Sequence, residues 1–278
     1  MTWLLRPGVG LARRDADHLQ LGVDPPLAAV VPDLPSVRLL LVELAHGGPL
    51  TTLDATTAPV LDALVAAGLV VAADEVAARR ERRARFRVLV DAPEGVLAPL
   101  LRLLGQSGLG VARTPADAAA ALVWSTGETP RSALDDWMRS GTPHLVVRER
   151  PGGPVLGPYV VPGATACLRC VDAHLGEGDP RRALVVEQLA ATAPLRPAAA
   201  DPVLRALAGS WAFHDLATAA EGGVPATWSA TLTVGVLPPV VTTYRRHLYC
   251  GCAWAEELVD AAAARAAALA AESVSRAS

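Results

Sequence analysis

GPYVVPGATACLRCVDAH, residues 157–174, decides how the rest of the chain is read. It holds Cys167 and Cys170 at a C-x-x-C spacing. The other two cysteines, Cys250 and Cys252, follow roughly eighty positions later in HLYCGCAW, residues 247–254. A C-x-x-C turn lets two sulfurs point the same way, and a C-x-C turn does so more tightly. A fold that joins the pairs therefore places four thiolates around one tetrahedral ion, usually zinc. Four sulfurs close the coordination shell, so such a site is structural. The spacing is also compatible with two disulfides, a redox C-x-x-C or buried free cysteines, although cytoplasmic thiols stay reduced. His174 and His247 flank the pairs as neighbours of the site, or as substitute ligands if a cysteine does not bind.

Composition narrows the function classes. A length of 278 residues accommodates two domains with a sizeable core. All 25 basic residues are arginine, and lysine does not occur. The net charge of -3 argues against a general nucleic-acid surface. The start, MTWLLRPGVGLARR, has a very short apolar run and no cleavage pattern, so no secretory signal is expected. No apolar stretch reaches the ~18 residues that span a bilayer. The expectation is a soluble, cytoplasmic protein with neither a nucleic-acid nor a membrane partner.

Residues 1–72 read as a small unit of their own. GVGLARR and HLQLGVD, separated by a polar DAD, give a hairpin signal. PLAAVVPDL is a third short strand bounded by Pro26 and Pro32. PSVRLLLVELAHGG reads as a helix capped by Ser36 and ended by Gly47 and Gly48. In TAPVLDALVAAG, Val60, Leu61, Leu64 and Val65 recur at helical spacing before Gly68 stops the run. Three strands followed by helices is a winged-helix-like order. DNA binding through such a unit needs a basic helix, and this last helix has no arginine.

Residues 73–86 read as a charged linker or solvated helix, with DEVAARRERRARF over 74–86. The pattern then changes. RVLVDA, AALVWS and HLVVRE read as strands, with helices GVLAPLLRLLGQSG and RSALDDWMRSG between them, which predicts a parallel sheet with crossover helices. GPVLGPYVVPGATACLRC is expected to form a hairpin leading into the first cysteine pair. The helical DPVLRALAGSWAFHDLATAAEGG follows, and the strands ATWSATLTVGVL and PVVTTYRRHLYC deliver the second pair.

This order, with GPYVVPGATACLRCVDAH and YCGC as its most specific parts, resembles the ubiquitin-activating-type (ThiF-like) adenylyltransferase domain over roughly residues 86–260. With the N-terminal unit included, the chain resembles the ThiF-like leader-peptide-binding proteins of azole- and azoline-containing peptide biosynthesis. The resemblance implies a mixed α/β protein of four parts. These are a winged-helix-like peptide-recognition domain over 1–72, a linker over 73–86, a ThiF-type domain with a four-cysteine zinc site over 87–260, and a C-terminal helix or tail over 261–278. It implies two partners, the leader of a ribosomally made precursor and a YcaO-type cyclodehydratase. A homodimer, common in that family, is left open by the residues.

Active adenylyltransferases of this type carry a glycine-rich turn after the first strand, where backbone amides cradle phosphate. The corresponding stretch here is VLVDAPEGVLAP. Pro93 removes an amide, only Gly95 remains, and Asp91 and Glu94 bring negative charge. Without lysine there is no phosphate-binding lysine either. The strand that supplies a metal-binding Asp in the family ends in VWSTGE, with Glu128 a poor substitute. The expectation is a non-catalytic subunit with structural zinc and no ATP.

The resemblance further implies that the leader adds as a strand to the edge Ala28, Ala29, Val30, Val31 and Leu34, beside a helix wall of Val60, Leu61 and Leu64. Pro32 limits pairing along that edge. The apolar residues read equally well as core contacts between helix and sheet. Two classes compete with this reading: a divergent adenylyltransferase acting on a peptide carboxylate, and a dimeric scaffold without peptide binding. His18, His46, His144 and His214 have no nucleophile in motif context, so a hydrolase triad is not supported. The Ala-rich tail AEELVDAAAARAAALAAESVSRAS is helix-prone.

Overall fold

The computed structural model describes residues 2–196, 200–235, 238–248 and 250–252. The Ala-rich tail expected over 261–278 lies outside them. The chain divides into two compact units between Glu81 and Arg82.

The first unit runs β1 (Trp3–Leu5), β2 (Leu11–Arg13), β3 (His18–Leu21), β4 (Ala29–Pro32), α1 (Pro35–His46), α2 (Ala58–Ala66) and β5 (Val70–Ala72). The strands β2, β3 and β4 form an antiparallel sheet in that order, and β1 pairs antiparallel with β5. Neither β1 nor β5 is evident from sequence, because three residues carry too little alternation. Leu19 and Leu21 of β3, Val37, Leu40, Leu41 and Leu44 of α1, and Val60, Leu61 and Leu64 of α2 are buried together. The i, i+3, i+4, i+7 stripe on α1 is what one buried helix face requires. The cap expected from Ser36 is not used. Leu34 takes the N-cap position and Pro35 opens the helix, where its missing N–H costs nothing. Gly47 ends α1 as expected, with φ of 67° and its N–H on the Glu43 carbonyl.

The 73–86 stretch is the helix α3 (Ala73–Arg85), which buries none of its residues. The second unit continues with β6 (Arg87–Asp91), α4 (Glu94–Ser107), β7 (Gly110–Val111), β8 (Ala120–Ser125), α5 (Asp135–Arg139), β9 (His144–Arg148) and β10 (Val155–Val160). Then come α6 (Leu168–Gly176), α7 (Arg182–Thr192), α8 (Pro202–Ala220), β11 (Ala230–Thr233) and β12 (Val240–Thr243). Together the strands make one seven-stranded sheet in the order β12-β11-β10-β9-β8-β6-β7. The half built from β7, β6, β8 and β9 is parallel, as its crossover helices demand, and β10, β11 and β12 add antiparallel. The first five residues of β8 are buried because both faces are covered. Leu122 and Trp124 face the core that includes α4 and α8, while Ala121 and Val123 join Trp137, Leu168 and Val171.

Two expectations are corrected. GPVLGPYVVPGATACLRC is not a hairpin. Its Gly-Pro falls inside β10, at a register shift between Leu156 and Tyr159, and a loop then leads into α6. Gly157 has φ of 91°, and a Cβ there meets the Ala230 carbonyl at 2.2 Å, so the bulge needs glycine. RSALDDWMRSG opens as a 3-10 turn over Arg131–Leu134 before the short α5.

Candidate functional site

The cysteines converge. Cys167 is the extended N-cap of α6, and Cys170 sits in its first turn, so the helix start aims both sulfurs at one point. Past β12, three main-chain interactions fix the returning segment. The Tyr244 N–H donates to the Ser229 carbonyl, Arg246 Nη1 donates to the Gly163 carbonyl at 2.5 Å, and the His247 N–H donates to Cys170 Sγ at 3.3 Å. Gly251, at φ of 74°, turns the chain so that Cys250 and Cys252 face the first pair. The sulfur separations are 3.7 Å for Cys167–Cys170, 3.4 Å for Cys167–Cys250 and 3.3 Å for Cys170–Cys252. All four cysteines are free. Four thiols this close cannot all ionise alone. The bond from Cys167 holds Cys170 low, and the same bond pushes Cys167 up. The arrangement is compatible with one bound metal ion, whose charge removes that conflict.

The carboxyl ends of the parallel strands, where ligands enter open α/β sheets, present arginine–carboxylate pairs. Glu128, just past β8, takes Arg150 at 2.8 Å, Arg131 at 3.3 Å and Arg148 at 3.4 Å. Burial pushes its carboxyl up, but Arg148, Arg150 and Arg131 outweigh this and hold it below the ordinary range. Burial, reinforced by Arg150, lowers Arg148 to about 10. Glu149 accepts two bonds from Arg205, at 2.7 and 2.9 Å, and one from Trp124 Nε1 at 2.9 Å. Arg131 also grips Asp172 with two bonds, at 2.6 and 2.9 Å. A cavity of about 500 Å³ opens beside this network, lined by Glu128, Glu149, Arg150, Arg182, Val186 and Leu189 among others. At the end of β6, Pro93 is the N-cap of α4 and makes no side-chain cap bond.

Sequence reasoning reached Glu128 only as a weak metal ligand and missed its partners. The signal was the RER at residues 148–150, whose charges look solvated but include Arg148 and Glu149, each 1% exposed. Glu128→Gln removes the negative centre from three guanidinium groups, an expected loss of about 3 kcal/mol because one side of a buried pair remains. The folded-state pKa of Glu128 is depressed, so its contribution is full above the ordinary carboxylate value and is lost as pH falls through the folded value. Urea melts at pH 7 and at pH 3 check both statements. The loss on substitution should be large at the first pH and smaller at the second, which lies below the ordinary carboxylate value.

In the first unit, β4 has a strand neighbour on one side only among the described residues. The Asp33 N–H donates to the Asp17 carbonyl, which sets the alternation of the antiparallel ladder. Ala29 and Val31 turn their main-chain groups to β3, and Ala28 and Val30 turn theirs outward. Val30 and Leu34 are exposed, and Ala28 and Ala29 are half-buried. Val31, Val60, Leu61 and Leu64 are 0–8% exposed and belong to the core of the unit, so they are not open groove contacts. Leu27, before the strand, is exposed and was missed.

No family model and no curated protein matches the sequence. Solved structures match by fold. The TruD heterocyclase superposes with a TM-score of 0.69 at 18% identity, over 91% of this chain and 42% of that one. The chain thus spans about two fifths of the heterocyclase it matches. The microcin C7 biosynthetic enzyme MccB in complex with N-formylated MccA gives 0.63 at 12% identity, over 91% of this chain and all of that one (100%). MccB with ATP gives 0.63 at 11%, over 91% and 99%. The fold of this chain, with its seven-stranded mixed sheet, is therefore similar to those of the heterocyclase and MccB, in line with the expected ThiF-like fold.

Proposed function

We propose that this chain is a zinc-stabilised, non-catalytic accessory protein of azoline-forming peptide biosynthesis. It binds the leader of a ribosomally made precursor and presents the core to a YcaO-type cyclodehydratase that converts Cys, Ser or Thr. The open edge of β4, with the exposed Leu27, Val30 and Leu34 along it, carries the reading. It offers main-chain groups and an apolar strip to an incoming strand, as β-augmentation requires. The first unit is then a winged-helix-like recognition domain. Tethering raises the local concentration of the core to roughly millimolar at the partner enzyme. A zinc ion with bonds of about 2.3 Å sets sulfurs about 3.8 Å apart. The observed 3.3–3.7 Å fits that shell with little movement.

Three features favour binding over adenylation. Lysine does not occur, Pro93 occupies the turn after β6, and Glu128 and Glu149 already hold arginines. The cavity of about 500 Å³ favours the second reading, a divergent adenylyltransferase, because it lies at the carboxyl ends of β8 and β9 and presents Arg150 and Arg182. One pair of assays separates the two. Fluorescence anisotropy with the labelled leader of a candidate precursor peptide is expected to show saturable binding. ATP–pyrophosphate exchange with that precursor is expected to stay at background. Robust exchange selects the enzyme, and absence of leader binding removes the accessory role.

A further inference from the structure

A second group of metal-ligating side chains stands beside the cysteines. His174 lies in the last turn of α6, Glu177 follows at the helix end, and His247 lies between β12 and Cys250. Glu177 Oε1 is 3.3 Å from His247 Nε2 and 3.8 Å from His174 Nδ1. The two imidazole rings meet at 84° with centroids 4.8 Å apart. These separations are long for charge-assisted hydrogen bonds. They are close to the edge of about 3.3 Å between donors held about 2.05 Å from one tetrahedral ion.

The protonation of His174 is set by its other contact. Its Nε2 lies 2.9 Å from the Arg245 carbonyl, which can only accept, so Nε2 carries the proton. Nδ1 then offers its lone pair towards Glu177. A ligating histidine anchored through its second nitrogen to a backbone carbonyl is the usual outer-shell arrangement. Access is from the side of Glu177, whose side chain is 67% exposed, while that of His247 is 13% exposed and lies deeper.

We propose that His174 Nδ1, Glu177 Oε1 and His247 Nε2 bind a second divalent transition-metal ion, separate from the cysteine site, with a further position for water or a donor from another molecule. Nitrogen and oxygen donors suit zinc, nickel or copper(II), whereas four thiolates select a softer, closed site. The ion joins the end of α6 to the segment that carries Cys250 and Cys252. The His247 N–H on Cys170 Sγ, at 3.3 Å, already links that segment to the first pair. This inference does not depend on the peptide-binding reading.

The test is metal content. The full chain is purified under reducing conditions, equilibrated with zinc and freed of excess ion, and its zinc is counted by plasma mass spectrometry. The parent is expected to hold one zinc more than a His174→Gln, Glu177→Gln double variant. Cobalt substitution gives the control. The intense thiolate-to-cobalt band should survive in the variant, and the weaker visible absorption of a nitrogen–oxygen site should disappear. Equal zinc counts in parent and variant overturn the proposal. If the double variant also loses the thiolate band, the single His247→Gln chain decides by the same count.

Discussion

With the proposed zinc at the four cysteines, a Cys170→Ser chain is expected to lose that ion and most of the stability of the second unit. Cys170 is fully buried, packed with Val160, Ala166 and Cys167 in a small apolar cluster against which Met138 and Tyr244 also sit. A serine hydroxyl does not ionise at neutral pH and leaves three sulfurs around a cation that needs four donors. Structural zinc contributes apparent energies on the order of 10 kcal/mol in small domains. A whole domain is stable by only about 5–15 kcal/mol. Loss of even half the zinc term, about 5 kcal/mol, therefore brings the unit close to unfolding at room temperature. Urea melts followed by circular dichroism, alongside zinc analysis, measure this directly. The same collapse should follow slow removal of metal by a chelator and reverse when zinc is restored. A parent protein that carries no metal, with a Cys170→Ser midpoint unchanged from it, rules out the metal-clamped second unit.

The direction of proton flow gives a second handle on the same site. Without an ion, Cys170 is held low by bonds from its neighbours while Cys167 and Cys252 are pushed up. An ion needs all four as thiolates, so loading the apo protein releases the protons the raised thiols still carry. Weakly buffered titration with zinc should acidify the solution, and the affinity should rise with pH.

What the sequence made legible follows from where the signal is dense. β8 and β9 are short runs buried in a sheet covered on both faces, β6 carries the apolar run Val88, Leu89 and Val90, and paired cysteines are rare enough to stand out. α7 carries no one-sided stripe, because its apolar residues point both ways. Leu184 and Val185 are exposed, and only Val186 and Ala190 are buried. Gly157-Pro158 looks like turn punctuation but lies within a strand, because the neighbouring backbone of Ala230 comes too close for any side chain. The ion network at the carboxyl edge was hidden for a different reason. Its members come from residues 128, 131, 148, 149, 150, 172 and 205, and only the folded sheet shows that they meet. On the first unit the helical spacing of Val60, Leu61 and Leu64 was legible, but spacing does not say whether a stripe faces a core or a groove. Their burial assigns them to the core and leaves Val30, Leu34 and Leu27 as the open residues.

That assignment makes Val30→Pro the sharpest probe of the proposed peptide edge. The N–H of Val30 points away from β3, so the ladder of the first unit does not use it. Proline there removes one donor from the free edge and puts a ring where an added strand must approach. Ala29, the preceding residue, is already in a strand, which is the backbone region that proline tolerates before it. The unit should therefore keep its fold, with a loss within about 1 kcal/mol. Leader binding loses one main-chain hydrogen bond worth about 1 kcal/mol, and the steric clash adds to it. Together these weaken the affinity by at least about tenfold, since 1.4 kcal/mol is a factor of ten. Val31→Ala is the contrasting change. It opens a small cavity in the core, should lower stability by about 1 kcal/mol or more, and leaves the outward main-chain groups of Val30 in place. Anisotropy titrations of both variants with labelled leader separate the two roles. If Val30→Pro binds the leader as tightly as the parent does, the peptide does not add to β4, and recognition has to be sought on another surface.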